Sequence, residues 1–270
     1  MLTVVTVAHR SAAELAVLLP SLPPDAEVIV VDTDGSAAGV AATVIERLDN
    51  PGFGAANNEG VARASGEVTV LLNPDIVAAP AAIERLAALA AGREALIVPR
   101  LLNPDGSVQR SAFALPGRPS GMVTAVTPGP LRREPWRSQA PRIVGWALAA
   151  ALAAPTELLR RLGPFDPGAF LFYEDMDLCL RARAARIPTV LHPEVELTHT
   201  GGHSYDAAPV DVLARRRREV VGANLGDRAL RWDDRAQLAE YGVRSWRRRD
   251  RTRLRAVRQA RRVQASASQT

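Results

Sequence analysis

The residues of this chain with the clearest capacity for chemistry are two neighbouring carboxylates, Glu174 and Asp175. They follow the mostly aromatic residues 170–173 and open a segment whose apolar side chains recur at helical spacing. This spacing predicts a helix that begins near Glu174 or Asp175. Acids in a first turn are favoured by the helix dipole, which alone would explain them and would keep them ionised at neutral pH. An ionised carboxylate here can also act as general base for an incoming hydroxyl group.

A second group of candidate residues has the chemistry of a metal site. Asn73 and Asp75 follow the apolar run Val68–Leu72, and hard oxygen ligands suit Mg²⁺ or Mn²⁺ held against substrate phosphates. His199 follows the apolar residues 195–198, and a neutral imidazole beside two glycines is a suitable metal ligand. The alternatives are a helix-entry role for Asp75 and an ordinary surface histidine at His199.

Two polar loops follow other predicted strands. Asp32 and Asp34 come after residues 28–31, where an acid can bond a base or a ribose, although Asp-Gly is also strong turn chemistry. Residues 50–60, which include Asn57, carry glycines that let the backbone approach a ligand, and they precede a helix with free N–H groups. This loop matches neither GxGxxG nor a P-loop, and asparagines that cap a helix explain it equally well.

Short β-branched runs alternate with helical patterns up to about residue 100. Between the runs, a capping box at 11–14 predicts one helix start, and a second helix is expected to begin with Pro80 and end before Gly92. Such alternation indicates an α/β fold with ligands at the carboxyl ends of the strands. Residues 101–141 are rich in Gly and Pro and predict a long loop region. The predicted strands comprise residues 4–7, 28–31, 68–72 and 96–98.

Composition bounds the class of protein. The chain has 270 residues, of which 47 % are hydrophobic and 23 % charged, which excludes wholesale disorder, collagen and coiled coil. A single cysteine, Cys179, excludes intramolecular disulfides and Cys-rich zinc sites. The longest uncharged apolar stretch, residues 143–156, is too short to span a bilayer, and no basic leader precedes the first strand. We therefore expect a cytoplasmic protein.

Taken in order, these segments resemble the inverting family-2 glycosyltransferases with the GT-A fold. The most similar branch is the rhamnosyltransferase-like one that builds bacterial cell-surface polysaccharide. The resemblance covers roughly residues 3–204, and its most specific part is the block 170–181. The matching segments are VVTVAHRS (4–11), VIVVDTDGS (28–36), NPGFGAANNEG (50–60), LLNPDIV (71–77), LLNPDGSVQRS (101–111), LGPFDPGAFLFYEDMDLCLRARAARIPTVLHP (162–193) and HTGGHS (199–204).

The resemblance implies a mostly parallel central sheet flanked by helices, and transfer of a sugar from a nucleotide diphosphate with inversion. Asp75 takes the last position of the family's Asp-x-Asp motif and would hold Mg²⁺ or Mn²⁺, with His199 completing the metal site. Asp175 is expected to be the base and Glu174 to orient acceptor or base, although the sequence leaves open which of the two is the base. Asp32 would contact the nucleotide base. The other expected substrate-binding residues are Asp34, Asn57, Asn73 and Trp146.

The expected donor is a dTDP-rhamnose-like or UDP sugar, and the expected acceptor is a glycan or a polyprenyl-linked glycan. Departures from the family pattern concern the acceptor pocket and base selectivity: Asn73 replaces the first Asp, the loop 32–35 is about three residues shorter, and 145–150 lacks the usual Asp and Gly around Trp146. One alternative is a catalytically degenerate scaffold that binds nucleotide sugars or glycans. Another is a nucleotidyltransferase, which would need a basic glycine loop where residues 9–11 stand.

The domain organisation predicted from the sequence places a GT-A catalytic domain at 1–206. Its nucleotide-binding half spans 1–100 and its acceptor and catalytic half spans 101–206. A basic helical segment then occupies 207–262, followed by a frayed tail at 263–270.

The C-terminal segment is strongly basic. Residues 215–262 hold 17 of the 34 arginines and only 6 of the 29 acids, so the rest of the chain is net acidic. Residues 244–262 are expected to contact the anionic inner face of the cell membrane, which suits a lipid-linked acceptor. A solvated amphipathic helix is the alternative. Nucleic-acid binding is a third interpretation, but no specific motif supports it.

Overall fold

The structure is a computed structural model that describes residues 1–128, 131–169, 171–201, 209–248 and 251–267. The chain divides into two compact units. Unit 1 comprises Met1–Phe113 and Pro135–Gly202, and unit 2 comprises Ala114–Glu134 and His203–Thr270. The predicted boundary at 206/207, Phe170 and residues 202–204 of the HTGGHS segment lie outside the described residues.

Unit 1 is built on a central sheet, in which β1, β2, β3 and β4 pair in parallel as the predicted β-α alternation requires. The sheet order is β3-β2-β1-β4-β10-β6-β11-β5, with β8 pairing β11, and a separate two-stranded sheet joins β7 and β9. The strands are β1 (Leu2–Ala8), β2 (Glu27–Asp32), β3 (Thr43–Glu46), β4 (Val68–Leu72), β5 (Ile76–Val77), β6 (Leu96–Leu102), β7 (Ala112–Phe113), β8 (Arg142–Val144), β9 (Trp146–Ala147), β10 (Ala151–Pro155) and β11 (Thr189–His199).

The longest pairings in this sheet are parallel. The pairs β1–β2, β2–β3, β1–β4 and β6–β11 are parallel, whereas β10 runs antiparallel between β4 and β6, and β5 and β8 pair antiparallel with β11. The strand β10 was not expected, because its alanine-rich sequence lacks the β-branched residues that favour strands. Residues 151–154 of this strand are buried, and its position between β4 and β6 holds it in the sheet.

The helices follow the predicted pattern with one local exception. Pro80 opens α3, and Gly92 lies just beyond its end with φ of 65°, as expected. The predicted capping box at 11–14 is wrong: α1 begins at Ala12, but the Ser11 hydroxyl bonds the carbonyl of His9 instead of capping the helix. The helices are α1 (Ala12–Leu18), α2 (Phe53–Arg63), α3 (Pro80–Ala90), α4 (Ser120–Val126), α5 (Thr156–Leu162), α6 (Glu174–Ala184), α7 (Val210–Arg248) and α8 (Thr252–Ala267).

The region 101–141 is more ordered than the predicted long loop. It contains the end of β6, β7, α4 and a short 3₁₀ helix at Pro135–Arg137. Its many Gly and Pro residues mark the turns between these short elements and hide any periodic signal. Part of this region, residues 114–134, belongs to unit 2.

Unit 2 contains a helical hairpin. Helix α7 breaks at Gly226, whose φ of 75° and ψ of 175° leave the helical region. Across this break Arg217 binds Asp233 through bonds of 2.9 and 2.7 Å, and Arg218 contacts Asp234. The two members of each pair are separated from Gly226 by a similar number of residues, one before it and one after it. The chain therefore reverses at the glycine, and the two arms run antiparallel.

The final helix α8 packs on this hairpin. Val257 and Ala256 of α8 are buried together with Ala214 of α7, and the Nε of Arg261 lies 3.3 Å from a carboxylate oxygen of Asp234. The backbone is helical through residue 267, so most of the segment 263–270 continues α8. In the part of the chain that the structure describes, every helix is too short or too polar to cross a membrane.

Replacing Asp233 with alanine is expected to destabilise unit 2 by about 3 kcal/mol. The change leaves Arg217 and the Gln237 amide without the carboxylate that they bind, and the 18 % exposure of the Arg217 side chain puts the cost at the low end for a broken buried pair. Urea unfolding monitored by helical circular dichroism measures this. Asp227→Ala, at an exposed position of the hairpin turn, is the control, and equal midpoints for the two variants would contradict the prediction.

Candidate active site

The entry to α6 is held in an unusual backbone conformation. Phe172 and Tyr173 both have left-handed backbones, with φ of 74° and 62°, and the helix begins directly after them at Glu174. Such conformations cost a non-glycine residue about 1–2 kcal/mol each. Strain of this kind persists where the surrounding structure enforces it, which is common at functional sites. The predicted start of the helix near Glu174 is confirmed.

The two acids at this entry lie against each other in a poorly hydrated environment. Glu174 is 8 % exposed and Asp175 is partly buried. Burial, followed by repulsion from Glu174, raises the pKa of the Asp175 carboxyl to about 8, although the backbone N–H of Met176 bonds it at 2.7 Å. The expectation that the helix dipole keeps this carboxylate ionised at neutral pH is therefore wrong, because desolvation outweighs the dipole.

The pH dependence of catalysis follows from this shift. If Asp175 is the general base that the sequence predicts, only its ionised form accepts a proton, so kcat/KM is expected to rise about tenfold per pH unit up to about pH 8 and then to level off. Glu174→Gln removes the repulsion and should move this rise to lower pH. A rate that is flat from about pH 6 to 8 would contradict a base with this raised pKa. Complete loss of activity in Glu174→Gln, with an unmoved profile in Asp175→Asn, would instead assign the base to Glu174.

The sheet edge brings His199 to Asp75. Strand β5 follows Asp75 at once and pairs antiparallel with the end of β11, where His199 lies opposite Ile76. The N–H and hydroxyl groups of Thr200 both donate to the carbonyl of Asp75, at 3.0 and 3.1 Å. As a result the Nε2 atom of His199 lies 3.3 Å from a carboxylate oxygen of Asp75.

The residues at this edge fit a divalent cation. The Oδ1 atoms of Asn73 and Asp75 are buried acceptors that receive no hydrogen bond from the described part of the chain. A Cβ atom at Gly201 would overlap the Asp75 carboxylate, so the glycine preserves the space beside it. No cluster of three or more His, Cys, Asp or Glu side chains occurs among the described residues. Two protein ligands agree with the preference of Mg²⁺ and Mn²⁺ for sites completed by substrate phosphates.

Two adjacent alanines lie between the candidate metal-binding motif Asn73–Asp75 and the acidic pair Glu174 and Asp175. The backbone N–H of Ala149 lowers the pKa of the Asp175 carboxyl, and the carbonyl of Ala150 accepts a 2.8 Å bond from the backbone N–H of Asn73. The segment 145–150, which departs from the family pattern, thus lies beside both groups. The structure brings together Asp75 with His199, and Glu174 with Asp175, as the sequence predicts.

The loop after β2 is organised by Asp32. Its carboxylate is 2 % exposed and accepts backbone N–H bonds from Asp34, Gly35 and Ala37 at 3.2, 2.9 and 3.0 Å. This arrangement matches the turn interpretation, and it uses both oxygens of the carboxylate. Asp34 is more accessible, and hydrogen bonding from Ser36 holds the pKa of its carboxyl below the usual value.

In helix α2, the asparagine that joins distant segments is Asn58. Asn57 bonds the Phe53 carbonyl of its own helix at 2.9 Å, whereas Asn58 exchanges two bonds of 2.8 and 2.9 Å with the backbone of Phe165. A Cβ at Gly54 would lie 2.8 Å from the Cβ of Phe165. Gly54 thus provides room for a protein side chain, and sequence reasoning missed Asn58 although the Asn-Asn doublet was visible.

Trp146 packs against Tyr173 at the entry to α6. Its ring stacks on Phe113 with centroids 4.1 Å apart and is tilted against Tyr173 at 6.1 Å. Only 6 % of Trp146 is exposed, so it supports Tyr173 and offers little surface to a substrate. The expected substrate contacts of Trp146, Asp32, Asp34 and Asn57 stay predictions.

Sequence comparison identifies the relatives of this chain. A profile of the family described as "Glycosyltransferase like family 2" matches residues 3–222. The N-acetylglucosaminyl-diphospho-decaprenol L-rhamnosyltransferase of Mycobacterium tuberculosis is 29 % identical over 282 residues, which covers 88 % of this chain and 91 % of that enzyme. An uncharacterized protein of Sinorhizobium fredii, y4gI, is 30 % identical over 174 residues, or 62 % of this chain and 19 % of that protein.

Solved structures share the fold at low identity. GalNAc-T7 with UDP, GalNAc and Mn²⁺ superposes with a TM-score of 0.60 and 17 % identity over 90 % of this chain, which spans half of that protein (50 %). The mannosyltransferase PcManGT of Pyrobaculum calidifontis, in complex with GDP-Man and Mn²⁺, gives 0.60 and 17 % over 98 % of this chain and 75 % of that one.

The fold is therefore that of the GT-A glycosyltransferases, and the protein is an enzyme of this class. The chain belongs to glycosyltransferase family 2, and its similarity to the mycobacterial enzyme places it in the rhamnosyltransferase-like branch. The predicted fold class and family are confirmed.

Proposed function

We propose that this glycosyltransferase is a metal-dependent inverting enzyme that transfers L-rhamnose from dTDP-rhamnose to a hydroxyl group of a polyprenyl-diphosphate-linked N-acetylglucosamine. A UDP sugar is the second candidate donor. The observation that carries the proposal is the approach of His199 Nε2 to within 3.3 Å of Asp75, beside Oδ1 atoms of Asn73 and Asp75 that receive no hydrogen bond from the described residues. The acceptor follows from the name of the mycobacterial relative, which matches most of this chain.

The proposed reaction is a single displacement at the anomeric carbon. Asp175 accepts the proton of the acceptor hydroxyl as its oxygen forms a bond to that carbon. The bond from the carbon to the diphosphate oxygen breaks on the opposite face, and the nucleoside diphosphate leaves. Because attack and departure occur on opposite faces, the anomeric configuration inverts without a covalent enzyme intermediate. The high pKa of Asp175 makes its carboxylate a stronger base than an exposed one.

The other residues of the site orient the groups that react. Asp75 and His199 would hold the cation, and Gly201 keeps the space beside the carboxylate open. A divalent ion bound there would neutralise negative charge on the leaving diphosphate. Glu174, adjacent to the base, would orient the acceptor or Asp175.

Thermal-shift binding and transfer assays test this proposal. The purified protein is heated with UDP, dTDP and GDP sugars, each with and without Mn²⁺, since ligands of the native state raise the melting temperature. We expect a Mn²⁺-dependent shift with dTDP-rhamnose and transfer to polyprenyl-diphospho-N-acetylglucosamine, with a product of inverted anomeric configuration. No shift with any donor, or a product with retained configuration, would contradict the proposal.

The degenerate scaffold remains the second candidate function, and the shortened loop organised by Asp32 favours it. A scaffold would bind one nucleotide sugar without turnover for any acceptor. Transfer above the rate of an Asp175→Asn variant excludes it.

For location, we propose a cytoplasmic enzyme that contacts the inner face of the membrane through residues 244–262. The apolar side of α8 is already buried on α7, so this contact would be electrostatic and would lack an inserted apolar face. Arg255 and Arg258 are exposed at a spacing that places them on one side of α8, and the exposed Arg251 directly precedes this helix.

Vesicle binding is expected to depend on charge. The protein should bind vesicles that contain anionic lipid, and raising the salt from about 0.1 M to 1 M should release it. Changing Arg251, Arg255 and Arg258 together to Gln should weaken binding on the order of 100-fold. Arg93→Gln, at an exposed position of unit 1, is the control. Equal binding to purely zwitterionic vesicles would contradict an electrostatic contact.

A further inference from the structure

A chain of side-chain hydrogen bonds leads from the segment 101–111 to His199. The Nδ1 atom of His199 lies 2.8 Å from Gln109 Oε1, and Gln109 Nε2 lies 3.1 Å from Asn103 Oδ1. Asn103 Nδ2 lies 2.9 Å from Ser107 Oγ, which lies 2.6 Å from Asp105 Oδ1. The family resemblance includes this segment without assigning it a task.

The backbone holds this chain in place. Asn103 and Ser107 close a tight turn, in which the N–H of Asn103 bonds the carbonyl of Ser107 at 2.8 Å and Gly106 has a φ of 78°. The N–H of Ser107 bonds Asp105 Oδ1 at 2.9 Å, and the N–H of Gln109 bonds the carbonyl of Leu101 at 2.8 Å. Each polar side chain therefore starts from a constrained position.

The carboxylate of Asp105, at the end of the chain farthest from His199, determines which partner donates in every hydrogen bond of the chain. The hydroxyl and N–H of Ser107 hold the pKa of Asp105 below its usual value, so this group is ionised and only accepts. Ser107 must then donate its one hydroxyl proton to Asp105 and accept from the Asn103 amide. With its NH₂ group so placed, Asn103 offers its oxygen to the NH₂ group of Gln109.

The same sequence of donors and acceptors determines which nitrogen of the His199 ring carries the proton. Gln109 presents its oxygen to His199 Nδ1, so Nδ1 carries the proton of the neutral ring. Turning either amide around would leave two acceptors facing each other within the chain. The remaining nitrogen, Nε2, therefore presents its lone pair to the Asp75 carboxylate, 3.3 Å away. Two facing acceptors with no proton between them form an arrangement that attracts a cation.

We propose that Asp105, Ser107, Asn103 and Gln109 form a polar relay that fixes His199 as the Nδ1–H tautomer and so prepares Nε2 to bind the divalent cation with Asp75. This inference rests on the metal site of the proposed function. Gln109 is the positioning residue in direct contact with the ring, and the three others orient its amide. A hydrogen bond on the second nitrogen of a ligating histidine fixes the tautomer and typically affects metal affinity 10- to 100-fold.

The tautomer of His199 can be measured directly, without an assay of enzymatic activity. In protein with ¹⁵N-labelled histidine and no metal, above neutral pH, imidazole NMR distinguishes the protonated nitrogen, and a His199→Gln variant assigns the signal. We expect Nδ1–H in the native protein. Gln109→Leu should shift the ring toward Nε2–H, whereas Gln109→Glu keeps an acceptor at Nδ1 and should restore the native tautomer. Gln139→Leu, at a glutamine whose amide bonds Arg100 and the carbonyl of Arg137 and not His199, controls for loss of a glutamine.

Metal binding is the second readout, measured by Mn²⁺ electron paramagnetic resonance with dTDP present. Gln109→Leu is expected to weaken Mn²⁺ binding about 10- to 100-fold, and Gln109→Glu to recover most of it. An Nε2–H ring in the native protein, or native tautomer and affinity in Gln109→Leu, would overturn the relay. A third outcome is that the native protein shows the Nδ1–H tautomer and binds no Mn²⁺. That result would refute the metal site of the proposed function and the contribution of the relay to metal binding, but the assigned tautomer of His199 would stand.

Discussion

Replacing Asp175 with asparagine is expected to reduce the turnover number about 10²- to 10⁴-fold, which is the usual contribution of a general base. The amide keeps the shape of the carboxyl group but cannot take up the acceptor proton. Because burial and Glu174 already disfavour the charge on Asp175, the neutral amide should leave the melting temperature unchanged or higher. Loss of activity with preserved or increased stability is the signature that a transfer assay and a thermal melt together would detect.

A neighbouring acid provides the matched control for this variant. Asp177 lies in the same first turn of α6, and its carboxylate bonds the Nε of Arg181 at 2.7 Å. Asp177→Asn weakens that ion pair and should retain most of the activity. Full activity in Asp175→Asn would refute the assignment of the base, and equal losses in both variants would mean that the entry to α6 acts only structurally.

Replacing Gly201 with alanine is expected to weaken Mn²⁺ binding about 100-fold and to reduce transfer in parallel. The added Cβ would overlap the Asp75 carboxylate and lie 3.4 Å from His199 Nε2, so the carboxylate must move away from the imidazole. Gly201 does not have a positive φ, so the backbone itself tolerates alanine. The effect therefore reports on the space beside Asp75. Mn²⁺ titration followed by electron paramagnetic resonance, with dTDP present, measures it.

Gly242 provides the comparison for this second variant. It lies in α7, and among the described residues a Cβ added there would meet no neighbouring group within 4 Å. Gly242→Ala therefore adds the same methyl group without a collision, and native Mn²⁺ affinity is expected. If Gly201→Ala also binds Mn²⁺ normally, Asp75 is not the metal ligand in the position that the structure gives it.

The strands that sequence patterns predict well are the ones with a strong hydrophobic signal of their own. Strands β1, β2 and β4 contain runs of β-branched residues, and each is almost entirely buried. Strand β10 has the sequence ALAAP, and only its position between β4 and β6 makes it a strand. Tertiary pairing determines its conformation, and a local pattern cannot report that.

For the candidate site, the sequence predicted which strand ends carry the polar residues but not the side-chain bonds that form across the fold. Residues at the carboxyl ends of strands were expected to converge, and Asp75 does meet His199. The choice between Asn57 and Asn58 was not predictable, because it depends on a bond to Phe165, far away in the sequence. The contribution of Gln109 likewise arises from a side-chain bond across the fold.

Counting charges overstated how much of the basic segment is available to partners. Arg217 and Arg218 form part of the run 215–218, yet both bind buried acids of the opposite hairpin arm. Sequence alone shows the acids nearby in the chain, but the reversal at Gly226 decides which arginines they meet.

The pairing of β5 with the end of β11 also bears on how the enzyme is made. Asp75 leaves the ribosome early, whereas its partner His199 is at the end of the last strand of the sheet. During synthesis the strands up to β10 can therefore form before the proposed cation site is complete. A chain that ends before β11 would lack His199, so this proposed site would be incomplete in a prematurely terminated product.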